Sequence, residues 1–223
     1  MSRLEHFHLG GRAVLDAAFA QGVPSGRCLE LASGVGGVGR YLLSRFTEVS
    51  AIAGQDLDPA MVRLAGALNR HFGVNYSLSQ GNAEHLAQVD ADWVLVSHLL
   101  PFVGPDFLPR LARVSGAKPV VFIEPVRLAP YAYPQVWARD AASDRLLSPD
   151  SLVARLTAAG FAVADVQDLA ESLAQPLPTA AATGVPSLAE VSGLDQFAQR
   201  VANGRDGVRQ GQLSALRILA TAG

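Results

Sequence analysis

The chain has 223 residues, 49% hydrophobic and 17% charged, with a formal net charge of -2. That balance supplies a sizeable core and excludes a disordered chain, and a negative net charge without any Lys/Arg run argues against a general nucleic-acid binder. The lone cysteine, Cys28, excludes an internal disulfide and a cysteine-rich metal site.

The opening Met-Ser-Arg-Leu-Glu-His has no apolar signal region, and no segment reaches the roughly 18 uninterrupted apolar residues of a membrane span. The expectation is a cytoplasmic protein with no membrane partner. Residues 11–21 carry apolar side chains at helical spacing and stop near Gly22 and Pro24. Residues 27–32 form a short apolar run that ends at a glycine cluster, the pattern of a buried strand, with Cys28 reading as core packing. A helix is predicted from about Val38 to Arg45, and a second strand from Val49 to Gly54, closed by Gln55-Asp56. Asp58-Pro59 then opens a helix, with aspartate as N-cap and proline at the first helical position.

Further strands are predicted at 76–79, 93–97, 119–123, 161–166 and 214–222, and helices at 107–114 and 149–159, the latter closed by Gly160. Strands alternating with helices imply βαβ units, an α/β fold with a mostly parallel sheet covered on both faces. The Pro/Ala/Thr-rich stretch near 176–186 is too long for an ordinary turn and reads as a mobile loop or substrate cap. One domain over 1–223 is expected, with an N-terminal helical cap over about 1–24 and a cap or loop insertion over about 170–207.

Gly34-Val35-Gly36-Gly37-Val38-Gly39 matches G-x-G-x-x-G between a strand and a helix. Glycines let the chain turn sharply and let a ligand approach the backbone, beside helix N–H groups that attract anionic or polar atoms. Such a loop serves dinucleotides as well as S-adenosylmethionine (SAM). Asp56, ending the next strand, is spaced to accept both ribose hydroxyls in either kind of site. Glu30 discriminates, because a carboxylate inside the strand before the loop is costly unless something satisfies it. In a SAM site it is placed to fix the loop and reach the ligand's ammonium; the alternative is a capping or salt-bridging residue.

With these residues in place, the sequence resembles the class I SAM-dependent methyltransferases. Residues 27–37 (RCLELASGVGG) resemble their first motif, D/E-x-G-x-G-x-G, and residues 55–61 (QDLDPAM) the second. Residues 80–86 resemble the third, G-D-A-x-x-L; residues 111–117 resemble the turn before strand five, and Ala158-Ala159-Gly160-Phe161 the Ala-Gly-Phe element before strand six. The resemblance spans nearly the whole chain and looks nearest the small-molecule branch of sarcosine/dimethylglycine and tocopherol methyltransferases. It implies a Rossmann-like, seven-stranded, mostly parallel sheet with helices on both faces and an antiparallel last strand. It also implies SAM as cofactor and a small-molecule substrate, in a monomer or homodimer. Ala32 departs from the family's usual glycine, and Asn82 from its usual aspartate.

Carried over, the resemblance gives the cofactor Glu30, Ala32, Ser33, Gly34, Gly36, Asp56, Leu57, Met61, Asn82, Ala83 and Ser97. Leu57 would pack on the adenine, and Asn82 with Ala83 would read its edge. Methyl transfer is an in-line displacement, so the protein must align a nucleophile and, where needed, remove its proton. His98, at the end of strand four, is the first candidate base, Glu124 the second, and His8 on the N-terminal segment a third. Phe102, Tyr131, Tyr133 and Trp137 follow strands four and five and are expected to line an aromatic substrate pocket, or in part to pin the loops. No His/Cys/Asp cluster shows metal-ligand spacing, so no metal is expected. Two alternatives remain: an NAD(P)-dependent oxidoreductase, and a SAM-fold protein without methyl transfer, a regulatory binder or a SAM-assisted cyclase. The alanine- and arginine-rich composition suits a bacterial enzyme of secondary metabolism.

Overall fold

In the run Trp93-Val94-Leu95-Val96 every side chain is buried, which a strand allows only when both faces of its sheet are covered. Trp93 and Leu95 point into one core, Val94 and Val96 into another. The computed structural model describes residues 11–173, 193 and 195–223. Seven strands form one sheet: β1 (Gly26–Leu31), β2 (Val49–Asp56), β3 (Tyr76–Gln80), β4 (Trp93–Ser97), β5 (Pro119–Arg127), β6 (Phe161–Asp168) and β7 (Leu213–Ala222). Their order is β3-β2-β1-β4-β5-β7-β6. Neighbours from β3 to β5 are parallel, while β7 runs antiparallel to both β5 and β6. This is the expected Rossmann-like sheet with its antiparallel last strand.

Helices α1 (Gly11–Ala18), α2 (Gly37–Arg45) and α3 (Pro59–Phe72) are followed by α4 (Phe107–Ser115), α5 (Pro149–Ala158), the single turn α6 (Ala170–Leu173) and α7 (Phe197–Arg209). Leu108 and Leu111 of α4 and Leu152 and Leu156 of α5 close one face over Val94, Val96 and Phe122. Val14 and Leu15 of α1 and Val38, Tyr41 and Leu42 of α2 close the other over Cys28, Trp93, Leu95 and Val121. Burial of Cys28 pushes its thiol pKa well up, consistent with a packing role. Asp58 caps α3 as expected, its carboxylate accepting from Ala60 N at 2.7 Å with Pro59 in the first turn.

Two elements differ from expectation. Strand β5 continues past Ile123 through Pro125 to Arg127, because β7 alone pairs with it there. Beyond the end of β4 one side of β5 has no ladder, where proline is tolerated. Helix α7 was not expected, since its Asn203, Gly204 and Gly207 are poor helix formers. The packing requires one of them: a Cβ on Gly207 would lie 2.7 Å from the Leu213 side chain. The N-terminal cap lies inside the described residues only from Gly11, and the insertion expected over 170–207 only as α6, Gly193 and the segment from Asp195. No helix among the described residues is long and apolar enough to cross a membrane.

Candidate active site

The strand order reverses between β1 and β4, and a crevice opens outside the carboxyl ends of such strands. There β1 runs into Ala32-Ser33-Gly34-Val35-Gly36 and then α2. Gly34 (φ 52°) and Gly36 (φ 75°) are left-handed, as a sharp turn requires. Ser33 N donates to Gln55 O (3.0 Å), Gly36 N to Ser33 O (2.8 Å) and Gly34 N to Asp56 Oδ2 (2.7 Å). The two sides of the loop differ. A Cβ on Gly34 would meet nothing within 4 Å, whereas one on Gly36 would lie 2.9 Å from Tyr76 Cε1 and from Arg40 Nη1. The loop is therefore open at Gly34 and packed tight beneath Gly36.

Asp56 does two things with its carboxylate: Oδ2 holds Gly34, and Oδ1 accepts from Asp58 N at 2.9 Å. Each oxygen keeps a second acceptor site, the valence that hydroxyl donors would use. Beside it Leu57 is 64% exposed, a large apolar side chain presented to solvent rather than to the core. Met61 is half-buried in the first turn of α3. After β3, Asn82 caps a single helical turn over Ala83–His85, its Oδ1 accepting from Glu84 N at 2.9 Å. The Asn82 carbonyl thus uses one lone pair on its own turn, and its second lone pair and its amide donors are left for a ligand. Glu84 in turn accepts from Gly104 N at 2.8 Å and ties this turn to the segment after β4.

Glu30 is only 2% exposed, under the first turn of α2. Tyr76 Oη donates to Glu30 Oε2, and the Arg40 guanidinium and Gly39 N–H add favourable fields. Desolvation outweighs all three and lifts the Glu30 pKa to about 7. Sequence reasoning placed Glu30 at the loop but missed Tyr76, Arg40 and Asn69, which surround it or hold its partners. An isolated glycine in a strand, Gly54, was the available signal. A Cβ there would lie 2.6 Å from Tyr76 Oη, so Gly54 is the gap through which the phenol reaches Glu30.

At the end of β4, His98 is left-handed (φ 54°), a conformation that costs a non-glycine residue free energy and clusters at functional sites. Its N–H donates to Ile123 O at 3.0 Å, and Ser97 Oγ lies 3.3 Å from Nδ1. Desolvation lowers the His98 pKa to about 4, so the ring is neutral near pH 7 and only a weak proton acceptor. Glu124 is 1% exposed, and its two oxygens accept from Leu99 N (2.9 Å) and Leu100 N (3.2 Å). Burial pushes its pKa up to about 8 against these bonds. With both oxygens turned onto the backbone after His98, Glu124 holds that turn rather than facing the crevice. His8 lies outside the described residues, and His71 and His85 are exposed.

Of the four aromatics expected at a substrate pocket, Phe102 offers 56% of its surface to solvent. The other three turn inward. Tyr131 Oη (2.6 Å) and Tyr133 Oη (2.8 Å) both donate to Asp144 Oδ2, and Trp137 Nε1 donates to Tyr131 Oη at 3.2 Å. Asp144 also accepts from Leu146 N at 2.9 Å and faces Arg127 at 3.6 Å. A buried acceptor collecting these donors pins the connection between β5 and α5, the second of the two roles expected for these aromatics. Among the described residues, no group of three His, Cys, Asp or Glu is placed to hold a metal ion.

No family model and no curated protein matches the sequence. Solved structures do match in shape. A geranyl diphosphate C-methyltransferase from Streptomyces coelicolor, solved with Mg2+, geranyl diphosphate and S-adenosylhomocysteine, is 14% identical with a TM-score of 0.65, over 95% of this chain and 78% of that one. The chain has the fold of the class I methyltransferases. A protein assigned as a sarcosine dimethylglycine methyltransferase from Galdieria sulphuraria is 15% identical with a TM-score of 0.63, covering 88% of this chain and 78% of that one. The 4+2 cyclase SpnF has the same methyltransferase fold, at 17% identity and a TM-score of 0.62, over 94% of this chain and 80% of that one.

Proposed function

We propose that this protein is a SAM-dependent methyltransferase acting on a small-molecule acceptor, with a single-domain build. The observation that carries the reading is the glycine loop: open at Gly34, fastened by Asp56, and underlain by the buried carboxylate of Glu30. A purely structural turn has no need of an ionisable group in that position. The residues fit SAM. Asp56 retains acceptor capacity for ribose hydroxyls, Leu57 presents an apolar face for an adenine, and the amide of Asn82 with the Ala83 backbone stands at the purine edge. Ala32, Ser33, Gly34 and Gly36 supply backbone to the methionine portion, with Ser97 at its flank, and Met61 stands with Asp56 and Leu57.

When bound, SAM supplies a methyl group on a sulfonium, which leaves with its bonding electron pair on sulfur. The chain's own part is placement and exclusion of water. In this reading His98 and Ser97, at the end of β4, would face the transfer region, while Glu124 holds the backbone that follows His98. A neutral imidazole of low basicity suits positioning by hydrogen bond. It favours acceptors that are nucleophilic without strong base assistance, such as amines or activated carbon. Phe102, exposed just after β4, offers an apolar surface beside the end of that strand, which suits an acceptor with an apolar body. An acceptor from secondary metabolism and a cytoplasmic setting agree with the composition.

Incubation with methyl-labelled SAM and a panel of amine, phenol and prenyl acceptors tests the reaction. Label appearing in an acceptor, with stoichiometric S-adenosylhomocysteine, is the expected result. SAM binding with no label transferred to any acceptor would favour the cyclase-like reading that the SpnF neighbour brings into view.

A further inference from the structure

Tyr76 begins the edge strand β3, two strands away from the glycine loop, yet its side chain ends beneath that loop. The ring leans over Gly54 on β2. Its Cε1 would lie 2.5 Å from a Cβ on Gly39 and 2.9 Å from one on Gly36, so the first turn of α2 rests directly on the phenol. Glu30 Oε2 completes this floor, 2.7 Å from the same Gly39 position. The strand start that carries the ring is held as well: Asn69 Nδ2 of α3 donates to the Tyr76 backbone carbonyl at 2.9 Å, and Asn69 Oδ1 accepts from Arg40 Nη1 at 3.0 Å. We propose that Tyr76 is a positioning residue for the cofactor, acting through Glu30, whose negative charge it keeps available under the glycine loop. This inference rests on the SAM reading above.

The physical argument is a balance of three effects. Burial opposes ionisation of Glu30, while its hydrogen bond from Tyr76 and the field of Arg40 favour it. The groups facing Glu30 are Tyr76 from β3, Arg40 from α2, Asp56 from β2 and Cys28 from its own strand. Of these only Tyr76 donates to the carboxylate through a hydroxyl that can be deleted while the ring stays in place. The balance leaves Glu30 near the midpoint of its titration at neutral pH, where loss of one donor changes its ionised fraction steeply. SAM carries a sulfonium and an ammonium, so its binding is favoured by the ionised carboxylate. The phenol therefore links the edge of the sheet to the charge felt by the cofactor.

The test is calorimetric titration of SAM between about pH 6 and pH 9 with the full chain, Tyr76→Phe, Glu30→Gln, and the double variant. Wild type should bind more tightly as pH rises through about 7, and Tyr76→Phe should move that inflection up by about one unit, with ~5-fold weaker binding at pH 7. In the Glu30→Gln background the same substitution should change affinity by less than about two-fold. Comparing variants cancels the titration of SAM itself. Gly54→Ala gives a second route, since its methyl would meet Tyr76 Oη at 2.6 Å and Leu78 at 2.9 Å and so press the phenol away, and it should shift the inflection in the same direction. A Tyr76→Phe profile that superimposes on wild type, or an equal loss in the Glu30→Gln background, would overturn the coupling while leaving SAM binding intact. Wild type that binds no SAM at any pH would overturn the cofactor reading itself, and this inference with it.

Discussion

Replacement of Glu124 by glutamine should make the protein less stable than wild type near pH 6 and reverse or erase that deficit near pH 9. The folded state holds a proton on Glu124 up to about pH 8, whereas the ordinary carboxyl value is 4.5. Between those values the folded state binds more protons than the unfolded one, so this group's contribution to stability falls as pH rises and is fully lost above about pH 8. About two pH units of that window lie above pH 6, and at 1.36 kcal/mol per unit the wild type should lose about 3 kcal/mol from this group between pH 6 and pH 9. Glutamine has no such titration. Its amide nitrogen cannot accept from Leu100 N, so the variant starts with a deficit of about 1–3 kcal/mol at low pH. Glu30, displaced in the same direction, titrates in both proteins and drops out of the difference. Urea unfolding of the two proteins at several pH values measures the difference directly. Curves that stay parallel from pH 6 to pH 9 would refute the reasoning.

Ala32→Gly should relieve the left-handed backbone at φ 54° and raise the thermal midpoint by about 2–4 °C, equivalent to about 1 kcal/mol, in a calorimetric scan. His98→Asn keeps a residue type that tolerates positive φ, and its pH–rate profile should run parallel to wild type between about pH 6 and pH 8, because His98 titrates near 4. An inflection in that range lost with His98 would restore it as a general base. Asp144→Ala should cost about 3 kcal/mol by stranding the Tyr131 and Tyr133 hydroxyls and Leu146 N, and should alter Trp137 fluorescence. Unchanged stability would show that these donors find water or other partners.

The sheet was legible because its strands are short apolar runs between glycine and proline punctuation, as in Trp93–Ser97 and Phe161 after Gly160. The same punctuation misled at Pro125, where pairing with β7 carries the strand on, and at Gly204 and Gly207, where packing overrides weak helix propensity. In the site, local features read well: the glycine loop, Asp56 after β2, and Glu30 within β1. What a sequence could not display was partnership at long range. Tyr76 stands 46 positions from Glu30, and only the bare Gly54 hinted that something large crosses β2. The aromatics of the β5–α5 connection were visible, but their orientation depends on Asp144, whose significance lies in the donors gathered around it.

The most direct measurement is isothermal titration of the protein, and of Asp56→Ala, with SAM, S-adenosylhomocysteine and NADH. Micromolar binding of both sulfur ligands and none of NADH is predicted, with Asp56→Ala at least ~10-fold weaker through loss of the ribose acceptor and the Gly34 anchor. Binding of NADH without SAM, or full SAM affinity in Asp56→Ala, would contradict the account.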